Sequence, residues 1–303
     1  MTLDHPWTTA PAPADVVNVA PGIGWLRMPL PFQLNHINLW LLEDGDGWTI
    51  VDTGVGLDDT RALWERIFAT CLDGRPVRRV LVTHFHPDHI GNAGWLTARW
   101  KTELWCTQAE WLYAQFAWRS RGAADFEPRL AHFRRHGCGP EALVQLGRRG
   151  NHYPSLVPEV ASEFRRIREG DSITIGRRAF RVLVALGHAP EHACLWDEAG
   201  RVLIAGDQVL PKITTNVSVW SSSPGSIRSG SISTHSTASS RCRPTRWCCP
   251  RTAYRSAVCT RGSASCATIT RRVWARPLMR LWRLVARPSW CPCSSGASST
   301  AIS

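Results

Sequence analysis

The chain has 303 residues, room for one large domain or two small ones, and its 36 Lys plus Arg against 24 Asp plus Glu give a formal charge of +12. Such a charge suggests a nucleic-acid or membrane partner, but residues 221–303 carry 13 Arg and no acidic residue, which leaves residues 1–220 at a net −1. No apolar run of about 18 residues and no basic-then-apolar leader is present, so a membrane-spanning or secreted protein is not expected.

After a Pro- and Ala-rich start, the pattern predicts strands over 37–42 and 48–51, joined by the turn-forming Glu-Asp-Gly-Asp-Gly at 43–47. Thr60, Leu63, Trp64 and Ile67 have the 3, 4, 7 spacing of a helix over 58–70. A short buried strand over 80–82 follows, then a helix over 90–98. Residues 108–168 read as largely helical and aromatic, interrupted at Gly137, Pro140, Gly147 and Pro154. Strands over 173–175 and 180–186 form a hairpin across Gly176-Arg177, and a last strand covers 201–205. Strand, helix, strand is the rhythm of a layered α/β domain. Cys71, Cys106, Cys138 and Cys194 are the only thiols in residues 1–220 and have no framework spacing, which predicts reduced cysteines and a cytoplasmic location.

Three polar motifs sit where strands end. In His84-Phe85-His86 the two imidazoles are one residue apart, so an extended segment turns both to one side, where they can share an ion. Asp88 and His89 follow Pro87 at the start of a helix and face another way, available to a second ion. Crowding three imidazoles and a carboxylate together without a cation is costly. His188, in Leu186-Gly187-His188-Ala189-Pro190, and Asp207, in Ala205-Gly206-Asp207, each read equally well alone as a packing histidine and a capping carboxylate. Their weight comes from the first motif. His192 reads as a packing or ligand-orienting residue rather than a ligand.

The ordered set Val51-Asp52-Thr53-Gly54, Thr83-His84-Phe85-His86-Pro87-Asp88-His89, Gly187-His188-Ala189-Pro190 and Gly206-Asp207 resembles the metallo-β-lactamase-fold hydrolase superfamily. The resemblance covers about residues 15–220, with a helical insertion at about 108–168. It implies an αββα sandwich with a dinuclear site at the strand ends. His84, His86 and His188 would hold the first metal, Asp88 and His89 the second, with Asp207 bridging and Asp52 orienting a ligand from behind.

Zinc suits such an imidazole and carboxylate set, and two ions are implied. Water ionised there and oriented by Asp88 would attack an ester, thioester or lactone carbonyl of a small-molecule substrate. Trp111, Tyr113, Phe116, His152 and Tyr153 of the insertion are candidate substrate-pocket residues, with ordinary packing as the competing reading. Two alternatives stand beside the hydrolase: a single iron on His84, His86 and His188, as in the sulfur dioxygenases of this fold, and a non-enzymatic protein binding nucleic acid through its basic tail. The Asp88-His89 pair favours two metals, and the near-neutral residues 1–220 argue against nucleic acid.

The resemblance also calls for one more histidine after Asp207. The only one is His235, in Ser-Thr-His-Ser-Thr, which lacks a preceding strand and a following Gly. Residues 221–303 form a basic Ser/Arg/Cys-rich tail, the composition that a GC-rich gene gives when read out of frame. Codons read two bases later permit DPQRLYLDSLDRLEPLPADTLVLPSHG from Ser226 onward. Trp247-Cys248-Cys249 force Val and then Leu, and the codon spanning Arg251 and Thr252 supplies the His of Ser-His-Gly. The expectation is a frameshift in the gene near residues 220–226, or a sequencing error there. It predicts an incomplete or disordered C-terminal part, exposed apolar surface and a weakly bound second metal.

Overall fold

A computed structural model describes residues 6–7, 9–32, 34–120, 123–210, 215–217, 221 and 247–249. The expected disorder of the tail and the placement of His235 lie outside the described residues.

The first sheet begins as an antiparallel run of β1 (Val16–Ala20), β2 (Ile23–Pro29), β3 (His36–Asp44) and β4 (Gly47–Val51). Helix α1 (Asp58–Cys71) then carries the chain to β5 (Val77–Leu81), parallel to β4. A short α2 (Pro87–Ile90) and α3 (Ala93–Trp100) lead to β6 (Glu103–Cys106), parallel to β5. Parallel neighbours need such crossovers, because a two-residue turn cannot return the chain to the same end of a sheet. The insertion follows as α4 (Gln108–Arg119), α5 (Ala123–Arg135), α6 (Pro140–Arg149) and α7 (Tyr153–Leu156), and β7 (Arg165–Arg166) closes the first sheet. The second sheet runs antiparallel through β8 (Ser172–Ile175), β9 (Arg178–Ala185), β10 (His192–Asp197) and β11 (Val202–Ile204), with β12 (Trp247–Cys249) parallel to β11 at its edge.

Alternation along the strands divides the core in two. On β3, Ile37, Leu39 and Leu41 face Trp64, Ile67 and Phe68 of α1, while Trp40 and Leu42 face Phe180, Val182 and Leu195 of the second sheet. These side chains are buried, and each fully buried aliphatic or aromatic side chain contributes about 1.5–3 kcal/mol. Helix, sheet and sheet thus form three layers. The second helical layer of the expected αββα sandwich falls beyond residue 210, outside the described residues.

The predicted helix over 90–98 is divided after Gly91, where Asn92 leaves the helical path (φ −102°, ψ 7°) and Gly91 passes close to the 53–56 turn. A Cβ there would lie 2.4 Å from the Pro87 carbonyl and 2.6 Å from both the Gly54 carbonyl and the Gly56 nitrogen. The chain passes that close to the 53–56 turn so that Asn92 Nδ2 can donate to the carbonyls of Val55 (2.6 Å) and Thr53 (3.2 Å). Gly147 does not interrupt a helix as expected but lies inside α6. Strands β1, β2, β6 and β10 were not among the predicted elements. No helix among the described residues is long and apolar enough to cross a membrane.

Candidate metal centre

Four strand ends from the two sheets meet at one place. β4 runs into Asp52, β5 into the 83–89 loop, β9 into His188 and β11 into Asp207. His84 Nε2 lies 2.9 Å from His86 Nδ1 and 3.1 Å from His188 Nε2. The ligand atoms of these three residues all fall within 4.8 Å of one another, as do those of a second group, His84, His89 and Asp207. Asp207 Oδ2 stands 3.4 Å from His188 Nε2 and 3.6 Å from His89 Nε2, a position between the two groups. Asp88, expected as a ligand of the second ion, joins neither group.

The far sides of the His188, His84 and His89 rings are tied to the protein, which orients their near sides. His188 Nδ1 is 3.0 Å from the Asn216 carbonyl and His84 Nδ1 is 3.0 Å from Thr83 Oγ1. His89 Nδ1 lies 2.9 Å from Asp52 Oδ2, so a proton held there leaves Nε2 facing Asp207. Asp52 is fully buried and accepts further bonds from Thr83 N (2.8 Å) and Thr83 Oγ1 (2.9 Å). It adopts φ 62°, a left-handed conformation that costs a non-glycine residue about 1–3 kcal/mol and that these hydrogen bonds hold in place. His192 Nε2 accepts from Asp207 N at 3.1 Å, which places His192 behind Asp207. Gly206 makes this approach possible, since a Cβ there would lie 2.5 Å from His192 Cε1.

Burial, reinforced by the neighbouring imidazoles of His89, His86, His192 and His188, lowers the pKa of His84 well below its ordinary 6.5. A proton on His84 is therefore disfavoured. Three imidazole nitrogens aimed at one point beside a carboxylate fit a divalent cation with nitrogen and oxygen preference.

The pocket residues expected in the insertion are dispersed. Trp111 donates to the Ala161 carbonyl at 2.9 Å and stacks on Phe164, while Tyr153 is buried and donates to the Phe85 carbonyl at 2.6 Å. Tyr113 packs near Phe85 with ring centres 5.6 Å apart, whereas Phe116 and His152 are exposed. The cavity of about 1120 Å³ between the 43–45 turn and the β8–β9 hairpin includes none of the candidate ligands in its lining.

Two residues that sequence reasoning passed over stand beneath the ligand loops. Glu110, on the first turn of α4, is fully buried and accepts from Phe85 N at 2.9 Å and Glu191 N at 2.6 Å. Burial pushes its carboxyl up to about 8, against the opposing effect of those two N–H donors. Glu191 in turn accepts from Ala109 N at 3.1 Å through Oε2. An acidic residue in a first helical turn is commonly read as a dipole-stabilising one, so the sequence carries no signal for this use.

Comparisons with known proteins agree with this geometry. Residues 33–243 match the profile of the Metallo-beta-lactamase superfamily. An acyl-coenzyme A thioesterase, MBLAC2, of Gallus gallus is 28% identical over 199 residues, 62% of this chain and 63% of that protein. The probable metallo-hydrolase YqjP of Bacillus subtilis (strain 168) is 26% identical over 211 residues, 67% of this chain and 62% of that protein. The chain therefore spans somewhat over three-fifths of the length of these curated relatives. Among solved structures, a beta-lactamase domain protein from Burkholderia ambifaria superposes with a TM-score of 0.80 at 42% identity, covering 94% of this chain and 80% of that one. With the family profile spanning well over half of its length and the histidines gathered at the strand ends, the chain belongs to the metallo-β-lactamase superfamily.

Proposed function

We propose that this chain is a zinc-dependent, cytoplasmic hydrolase of small-molecule acyl compounds, with thioesters the foremost class and esters and lactones beside them. The observation that carries the reading is the convergence of His84, His86 and His188 on one point with their nitrogens 2.9 and 3.1 Å apart. In it, these three histidines would hold the first ion, and His89 and Asp207, with Asp88 as the family resemblance implies, would serve the second. When bound, the metal supplies Lewis acidity that ionises water near neutral pH and polarises a carbonyl. The chain does the rest. Asp52 fixes the tautomer of His89, His192 holds the backbone of Asp207, and Asp88, in the first turn of α2, takes a proton at its carboxylate from the attacking water. The name of the Gallus gallus relative supports a thioester, and the free thiols of Cys71, Cys106, Cys138 and Cys194 support a reducing compartment.

The same reading assigns the remaining ligand to the other reading frame. β12 lies parallel to β11 with Ile204 opposite Cys249. The alternative codon across Arg251 and Thr252 encodes histidine after β12. Its forced Val and Leu, which follow from Trp247-Cys248-Cys249, coincide with β12. A frameshift near residues 220–226 therefore accounts for a family member that keeps the six earlier ligand positions and has the codon of the last one out of frame.

The test is a substrate screen of the purified zinc-loaded chain against an acyl thioester, an aryl ester and a lactone. Thioester hydrolysis that stops on chelation and returns with zinc is expected. Oxygen consumption with iron, or no hydrolysis of any of the three, would overturn the reading.

A further inference from the structure

The peptide between His84 and His86 is held at both ends. Phe85 N donates to Glu110 Oε2 at 2.9 Å, and its carbonyl accepts from Tyr153 Oη at 2.6 Å. The other oxygen of Glu110 accepts from Glu191 N at 2.6 Å, three residues beyond His188. One buried carboxylate thus touches both ligand loops, one from each sheet. The contact is reciprocal: Glu191 Oε2 accepts from Ala109 N at 3.1 Å, and Thr107 Oγ1 donates to the Glu191 carbonyl at 2.8 Å. The N-terminal turn of α4 is therefore fastened to the 188–191 loop by Thr107 and Ala109 as well as by Glu110.

We propose that Glu110 is a positioning residue for the metal centre, a two-oxygen clamp that sets the distance between the His84-Phe85-His86 loop and His188. The assignment rests on the reading of these histidines as metal ligands. The carboxylate geometry is specific to the task. Two backbone N–H groups arrive from different loops, and each needs an acceptor once buried. Glutamate offers an oxygen to each. Glutamine offers one oxygen and turns an amide N–H₂ toward the other donor, while aspartate is one methylene too short to keep both distances. The loops are joined independently by Ala193 N donating to the Thr83 carbonyl at 2.8 Å, so loss of Glu110 changes their spacing without releasing the sheets.

The experiment is cobalt(II) titration of the full chain and of its Glu110→Gln, Glu110→Asp and Tyr153→Phe variants. It is followed by the visible d–d absorption, which reports coordination geometry, with far-ultraviolet circular dichroism to establish folding. Glu110→Gln is expected to bind cobalt about 10–100-fold more weakly and with an altered d–d band, the usual consequence of losing a group that orients metal ligands. Glu110→Asp is expected to fall between it and the unsubstituted chain, showing that length and not charge alone matters. Tyr153→Phe, which removes one of the two holds on Phe85, is expected to shift the band with a smaller loss of affinity. Should the glutamine variant fail to fold, the aspartate and phenylalanine variants decide by the same two readouts. Unchanged affinity and spectrum in the folded variants would overturn the clamp while leaving the metal site intact. Failure of the unsubstituted chain to bind cobalt would overturn the metal site and the clamp with it.

Discussion

His86→Ala is expected to lower affinity for the first metal ion by more than about 100-fold and to abolish hydrolysis, while leaving the fold in place. His86 supplies one of the three imidazole nitrogens of the first group, and a two-imidazole remainder does not close a zinc shell. Its ring is only partly buried and it stands at the cap of α2, outside both apolar clusters, so its removal opens no cavity in the core. The expected change in unfolding free energy is within about 1 kcal/mol, the range of substitutions that leave packing intact. Metal content after dialysis, thioester turnover and thermal unfolding of the metal-free protein check the three parts together. Retained turnover in a folded His86→Ala protein would exclude this site from catalysis.

Restoring the alternative reading frame from residue 226 onward is expected to raise bound metal from about one to about two ions per chain and to increase turnover by about 100-fold or more. Two independent physical requirements support this outcome. Parallel β11 and β12 demand a crossover of a dozen or more residues, for which a helix is the usual solution. The printed segment Ser226 to Arg246 has no apolar periodicity, whereas the alternative DPQRLYLDSLDRLEPL opens with a capping Asp and a first-turn Pro and then repeats Leu at helical spacing. The second requirement is chemical. His89 and Asp207 lie 3.6 Å apart with Asp207 shared toward His188, and the histidine that the alternative frame encodes after β12 would offer this half of the site a further imidazole. Sequencing the gene through codons 220–226 and comparing metal content of the two proteins decides the matter. Equal metal content and equal turnover would remove the frameshift from the account.

The chemistry of this chain was more legible than its architecture. His84, His86 and His89 lie within six residues, so their joint meaning is local, and the strand-end position of His188 and Asp207 gave each a place in the same pattern. Asp52 was named through the same ordered motifs, and the structure bonds it to Thr83 and His89. Glu110 escaped because its work is done on backbone N–H groups 25 and 81 residues away, and no side-chain pattern records a backbone donor. Among the aromatic residues of the insertion, Trp111 and Tyr153 have amphipathic rings whose polar tips reach carbonyls, a use that the sequence cannot distinguish from lining a pocket. The divided helix at Gly91 was hidden for a related reason. Its cause is the approach of the 53–56 turn, which is distant in sequence.

X-ray absorption at the zinc edge of the purified full chain addresses the central claim most directly. The account predicts a bound zinc whose shell contains about three imidazole nitrogens and no sulfur, lost together with the zinc in His86→Ala. A shell of cysteine sulfur, for which the seven thiols of residues 221–303 are the available source, or a zinc content unchanged by His86→Ala, would contradict it.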